Sequence, residues 1–209
     1  MRAKKSALME TLLPRLRVDL AEKMPLDPFA LFTPKPRALW LEIGFGGGEH
    51  LAAQAQRHPD IGLIGAEPFV NGVAGLLAHI GEGAIDNIRI FPGDARDLLD
   101  ALPDASIERC FVLFADPWPK ARHAERRFIG PENIPRLARV LRPGGELHLA
   151  TDHAKLAYWM QEHMDASPEF TSRITPSMQP PEDWVPTRYE QKARKAGRKP
   201  VYFSYNRRG

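Results

Sequence analysis

The chain has 209 residues, of which 43% are hydrophobic and 26% charged, with a formal net charge of +3. That balance excludes a disordered chain, a collagen and a disulfide scaffold, and the length suits one domain of roughly 150 residues with a small appendage. The longest purely apolar stretch, Cys110 to Ala115, falls far short of the about 20 residues that a spanning helix needs, so no membrane association is expected.

Charge is distributed unevenly. Residues 1–17 carry Arg2, Lys4, Lys5, Arg15 and Arg17 against Glu10, a net of +4. Residues 188–209 carry Arg188, Lys192, Arg194, Lys195, Arg198, Lys199, Arg207 and Arg208 against Glu190, a net of +7. The stretch between sums to −8 and holds one basic island, Lys120, Arg122, Arg126 and Arg127, interrupted by Glu125. Basic ends on an acidic body imply a polyanionic partner at the rim of a pocket that favours a neutral or cationic ligand. A merely solvated surface is the plainer alternative.

The basic start lacks an apolar h-region and a cleavage site, so a cytoplasmic protein is expected. The single cysteine, Cys110, lies in an apolar run and reads as a buried thiol in a reducing compartment. Leu8, Leu12, Leu16 and Leu20 recur every four residues, which predicts a short amphipathic helix over 8–20 despite Pro14. Pro25, Pro28, Pro34 and Pro36 predict an extended connector over 25–37. Residues 1–37 therefore read as a basic helix plus connector, and 38–209 as the main domain.

From there the pattern is regular. Strands are predicted over 38–43, 61–66, 87–91, 109–115 and 146–150. Helices are predicted from the glycine loop to about residue 57, over 69–80, 98–102, 131–141 and 153–164. Arg142-Pro143-Gly144-Gly145 marks a turn, 165–187 a proline-rich connection, and 201–205 a last strand that joins antiparallel. Short strands alternating with helices imply an α/β fold with a mostly parallel sheet and helices on both faces.

The sharpest local signal is Glu42-Ile43-Gly44-Phe45-Gly46-Gly47-Gly48-Glu49, directly after the first strand and opening a helix. Glycines there let the backbone turn and approach a ligand. Glu49 stands where the third glycine of a dinucleotide fingerprint would be. A pyrophosphate wants free amides without carboxylates beside them, so Glu42 and Glu49 disfavour it and suit S-adenosylmethionine, a sulfonium and ammonium cation without phosphate. Glu67 at the end of the second strand suits ribose hydroxyls, and Asp94 after the third suits the adenine amine. In Asp116-Pro117-Trp118-Pro119-Lys120, after the fourth strand, prolines stiffen the carrier of a carboxylate, Trp118 offers a face to a base, and Lys120 begins the basic island.

The string Asp-Pro-Trp-Pro-Lys-x-Arg-His-x-x-Arg-Arg, Asp116 to Arg127, resembles the signature of the bacterial tRNA (guanine-N7-)-methyltransferases. So do Leu41 to Gly46, Thr151-Asp152 and Thr187-Arg188-Tyr189-Glu190. The resemblance implies a Rossmann-like class I methyltransferase with a seven-stranded sheet, S-adenosylmethionine as cofactor, no metal, and N7 of a guanine in the tRNA variable loop (position 46) as acceptor. It implies cofactor contacts from Glu42, Gly44, Gly46, Glu67, Asp94 and Asp116, with Asp116 catalytic. It implies substrate contacts from Lys120, Asp152 and Thr187, Arg188, Tyr189 and Glu190, beside the basic Arg122, Arg126 and Arg127. Guanine N7 already carries a lone pair, so alignment and a carboxylate near the developing guanine cation suffice.

Two readings compete. A nicotinamide-dependent oxidoreductase lacks its third glycine, and a non-catalytic RNA-binding module leaves the strand-end acids without a purpose. The last strand is expected to return the 187–199 segment over the crevice mouth, closing on RNA rather than on cofactor. Glu190, one acid among cations, is expected at the substrate edge, with a paired structural anchor as the alternative.

Overall fold

The computed structural model describes residues 3–20, 26–174, 176–181 and 184–209; Arg2 of the basic start and Pro25 of the connector lie outside them. Seven strands form one sheet: β1 (Ala38–Ile43), β2 (Ile61–Ala66), β3 (Ile88–Phe91), β4 (Ile107–Leu113), β5 (Leu141–Thr151), β6 (Phe170–Ser172) and β7 (Val201–Arg207). Their order is β3-β2-β1-β4-β5-β7-β6. β1 to β5 pair in parallel, and β7 is antiparallel to both β5 and β6.

Helices cover both faces: α1 (Ala3–Thr11), α2 (Leu13–Leu16), α3 (Glu49–Arg57), α4 (Val70–Gly83), α5 (Ala95–Ala101), α6 (Ile134–Val140), α7 (Ala154–Ala166) and α8 (Arg188–Lys195). Strand side chains alternate between faces. Leu39, Leu41 and Ile43 of β1 therefore join Leu98 of α5, Leu137 of α6 and Met160 of α7 in one core layer. Ala38 and Trp40 join Leu16 of α2, Leu51 of α3 and Leu76 of α4 in the other. Glu42 shares the second face by parity, a charge in a strand whose six residues are all buried.

The strand order reverses at β1. The chain adds β2 and β3 on one side, then crosses to β4 on the other. In open α/β sheets a ligand crevice lies outside the carboxyl ends of the strands at such a reversal. The loops after β1, β2, β3, β4 and β5 all open there, and they carry the acids singled out in the sequence.

Three local expectations need correction, and the tail adds a helix. The helix expected over 8–20 is two helices, because Pro14 has no N–H to give an interior turn and sits instead in the first turn of α2. The chain then extends, and Val18 donates to the Ile90 carbonyl at 2.8 Å. The turn at Arg142–Gly145 is a bulge inside β5, which begins at Leu141 opposite Ile107 and resumes at Glu146 opposite Arg109. Residues 165–187 contain β6, three residues long with only Phe170 buried, too short for any alternation to mark it. The basic tail forms α8, capped by Thr187, whose hydroxyl accepts the Glu190 amide at 3.0 Å.

Candidate active site

The glycine loop is shaped by backbone that only glycine adopts easily. Gly46 has φ +55° and Gly48, the residue before α3, has φ +83°. α4 seats against the loop through a second glycine: a Cβ on Gly72 would stand 2.5 Å from the Gly46 carbonyl oxygen. Gly44 faces open space, since a Cβ there would meet nothing within 4 Å. The loop backbone thus lines an open crevice.

Glu67 follows β2 and is buried. Its carboxylate accepts the Gly46 amide at 2.9 Å and the Phe69 amide at 2.9 Å. Burial pushes its pKa above the ordinary carboxylate value; the two amides oppose that, and the nearby charge of Asp116 adds to it. Asp94 caps α5, accepting the Arg96 amide at 3.0 Å, and forms a two-pronged ion pair with the Arg96 guanidinium at 3.0 and 2.8 Å. That pair holds its carboxyl below the usual range.

Asp116 is exposed on the loop after β4. Phe114 and Trp118 on either side of it adopt φ +55° and +39°. Such left-handed backbone costs about 1–3 kcal/mol for non-glycine residues and gathers at functional sites. The Phe114 amide donates to the Ala150 carbonyl of β5 at 2.7 Å, which ties down one end of the loop. Arg127 ties the other, donating to the Trp118 carbonyl at 3.1 and 3.3 Å while its guanidinium lies 4.7 Å from the Trp159 ring centre. Arg127 was expected on the substrate. It is buried beneath the loop and acts as its strut. Arg126 lies over the Trp118 ring at 5.0 Å, and Lys120 and Arg122 are exposed beside it.

Glu42 is 2% exposed and accepts from His50 Nδ1 of α3 at 2.7 Å. His50 Nε2 in turn lies 3.2 Å from Gln54, and its ring sits 5.4 Å from Trp184. His50 escaped the sequence reading. Its signal was Glu42 itself, since an acid in an otherwise apolar buried strand demands a partner.

The tail is the largest surprise. Glu190 is 0% exposed, and its carboxylate accepts from Trp184 Nε1 at 2.6 Å, Arg194 Nε at 2.9 Å and the Tyr202 hydroxyl at 2.6 Å. It is paired, as the anchor alternative has it, with those three donors on its carboxylate. Thr187 is likewise occupied as the cap of α8. Asp152, just past β5, pairs with Arg198 Nε at 2.5 Å. Arg188 and Tyr189 are exposed, and Tyr189 lies against Gly46 of the glycine loop, not away from it. The tail does return over the crevice mouth, yet it meets the loop assigned to the cofactor. Cys110 is buried within β4, and burial pushes its thiol pKa up, as suits an inert core thiol.

Residues 36–203 match a family described as "Putative methyltransferase". The chain is 52% identical over 205 residues to the tRNA (guanine-N(7)-)-methyltransferase of Paramagnetospirillum magneticum, covering 96% of this chain and 86% of that protein. It is 50% identical over 214 residues to the enzyme of the same name from Rhodospirillum rubrum, covering 100% of this chain and 84% of that protein. Among solved structures, the 16S rRNA methyltransferase KamB superposes with a TM-score of 0.66 at 13% identity, covering 90% of this chain and 96% of that one. A putative methyltransferase from Streptococcus mutans, SMU.1697c, in complex with SAH, superposes with a TM-score of 0.57 at 9% identity, covering 82% and 89%. These likenesses carry the fold, and the sequence matches carry the family: the chain belongs to the tRNA (guanine-N(7)-)-methyltransferases.

Proposed function

We propose that this protein transfers a methyl group from S-adenosylmethionine to N7 of the guanine at position 46, in the variable loop of tRNA. One observation carries the reading: Asp116 stands on a braced, strained loop at the carboxyl end of β4, at the same end of the sheet where Glu67 is bonded to the glycine loop. The substrate class rests on the names of the relatives.

The crevice fits such a cofactor. Gly44 opens onto free space, which leaves room for a ligand against the backbone. Glu67 and Asp116 repel a pyrophosphate and favour a cation. Glu67 would hold the ribose, and Asp94 would face the adenine. When bound, S-adenosylmethionine supplies a methyl group on a sulfonium leaving group. Guanine N7 already carries its lone pair, so the chain's residues would have no proton to remove and would need only to align the base and offset the positive charge it would gain.

Asp116 accepts from the N1–H and N2–H₂ edge of the guanine and is placed before the charge develops, which is where fixed electrostatics lower a barrier. Lys120, Arg122 and Arg126 hold phosphates beside it. Arg127 acts on the guanine only through the Trp118 carbonyl it grips. The protein is incubated with methyl-labelled cofactor and unmodified tRNA, and the RNA is digested to nucleosides. All label is expected in 7-methylguanosine; label in another nucleoside, or none, overturns the proposal.

A further inference from the structure

The loop that carries Asp116 is held by side chains of α7. Trp118 keeps a left-handed backbone, φ +39°, while its carbonyl accepts two N–H groups of Arg127 at 3.1 and 3.3 Å. Strained backbone of that kind persists only where its surroundings over-determine it. Arg127 is an unusual brace. It is 9% exposed, yet among the described residues no carboxylate pairs with it. A buried guanidinium needs its charge met. Here the Trp159 ring of α7 meets it, 4.7 Å from the guanidinium to the ring centre. Trp159 is itself fixed. Its Nε1 donates to the Ile129 carbonyl at 2.7 Å, and its ring stacks on His163, one turn along α7, at 3.9 Å. Between those holds the Asn133 side chain donates to the Phe128 carbonyl at 2.9 Å. Residues 127–129 are thus gripped one after another, and Trp159 supplies two of the three holds.

We propose that Trp159 is a positioning residue for methyl transfer: by holding the Arg127 guanidinium it sets the Trp118 carbonyl, and with it the direction in which the loop presents Asp116. This rests on Asp116 acting on the guanine, as proposed above. Among the described residues the polar and ring contacts of Trp159 go to Arg127, Ile129 and His163, and none goes to Glu67 or the glycine loop. Loosening Trp159 therefore frees the loop after β4 and leaves the Glu67–Gly46 bond in place. Indole is the best aromatic partner for a cation, and its N–H adds the hold on Ile129.

The test uses the full chain. Trp159→Met fills the space flexibly without a π face or an N–H donor. Trp159→Phe keeps a π face and loses the donor. Arg127→Lys keeps the charge and loses the two-point grip. S-adenosylmethionine affinity is measured by titration calorimetry and kcat on unmodified tRNA, both below the onset of each variant's thermal unfolding. A misplacement of about 1 Å can cost about 10² in rate, so Trp159→Met should lose kcat on that scale with cofactor affinity kept within about twofold. Trp159→Phe should recover most of the loss. In the Arg127→Lys background Trp159→Met should cost little more, because both changes loosen one clamp. A purely structural Trp159 would lower the unfolding temperature and leave kcat alone, or add its loss to that of Arg127→Lys. Either result overturns the inference, as does cofactor affinity that falls along with kcat. If Trp159→Met does not fold, Arg127→Lys decides: lower kcat at unchanged cofactor affinity supports the clamp, and wild-type kcat overturns it. Asp116→Asn separates the two proposals. Wild-type turnover there overturns the role of Asp116 and this inference with it, whereas a slow Asp116→Asn beside a fast Trp159→Met overturns this inference alone.

Discussion

Glu67 accepts the Gly46 amide at 2.9 Å, so the acid that ends β2 is bonded to the loop that ends β1. Two strands at the topological reversal are fastened to each other through the residue expected to hold the cofactor ribose.

With Glu67 on the cofactor as proposed, cofactor affinity is expected to depend on pH. Glu67 binds its proton above the ordinary carboxylate pKa of about 4.3, chiefly because it is buried. Protonation takes away its acceptor role, so S-adenosylmethionine affinity should fall on acidification sooner than an ordinary carboxylate allows. The stability sign is opposite: a raised folded-state pKa means that Glu67 alone costs stability as pH rises through it. Titration calorimetry between about pH 8 and about pH 5 checks this. Glu67→Gln should bind more weakly throughout and lose that pH dependence; an unchanged profile contradicts the assignment.

Asp116→Asn removes a fixed charge without changing size. Loss of one preorganised electrostatic group typically costs roughly 10²–10³ in kcat, and a loss of that order is expected here. Cofactor affinity should move by only a few fold, because Glu67 and the loop remain. Steady-state kinetics with separate binding measurements distinguish the two effects.

Glu190 should matter first to stability. Removing one partner from a buried charged cluster costs about 3–5 kcal/mol, so Glu190→Ala is expected to lose stability on that scale in urea unfolding. Tyr202→Phe, which deletes one of the three donors, should lose about 1 kcal/mol. A Glu190→Ala protein of wild-type stability with impaired methyl transfer would return this residue to the substrate.

Much of this site was legible. Glycines after a strand, acids at three strand ends and the Asp116–Lys120 string each announce a crevice, because the α/β alternation fixes where strand ends meet. What failed to show was which charges are spent internally. Glu42, Arg127 and Glu190 look like free functional groups in one dimension, yet His50, the Trp118 carbonyl and the Trp184–Tyr202 pair occupy them. Those partners lie 8, 9, 6 and 12 residues away and across a break between elements or in loops, so no period within one element reveals them. That Tyr189 lies against Gly46 is also invisible in one dimension, since only the return of β7 decides which loop α8 meets.

Salt should separate the two ligands. Polyanion affinity falls as counterions are released, with a log–log slope of about −0.7 per phosphate contacted on a single strand. tRNA binding should therefore weaken steeply with salt, while cofactor binding in the acidic crevice changes little. Lys192→Ala and Lys195→Ala should each reduce the tRNA slope by about one contact. Equal slopes for both ligands would contradict the division between crevice and rim.

The central claim is methylation of one guanine. Unmodified tRNA and the same transcript with guanine 46 replaced by adenine are incubated with the protein and cofactor, and 7-methylguanosine is mapped by chemical strand cleavage. One cleavage, at position 46, is expected in the first transcript and none in the second. Equal methylation of both transcripts, or cleavage at any other guanine, would contradict it.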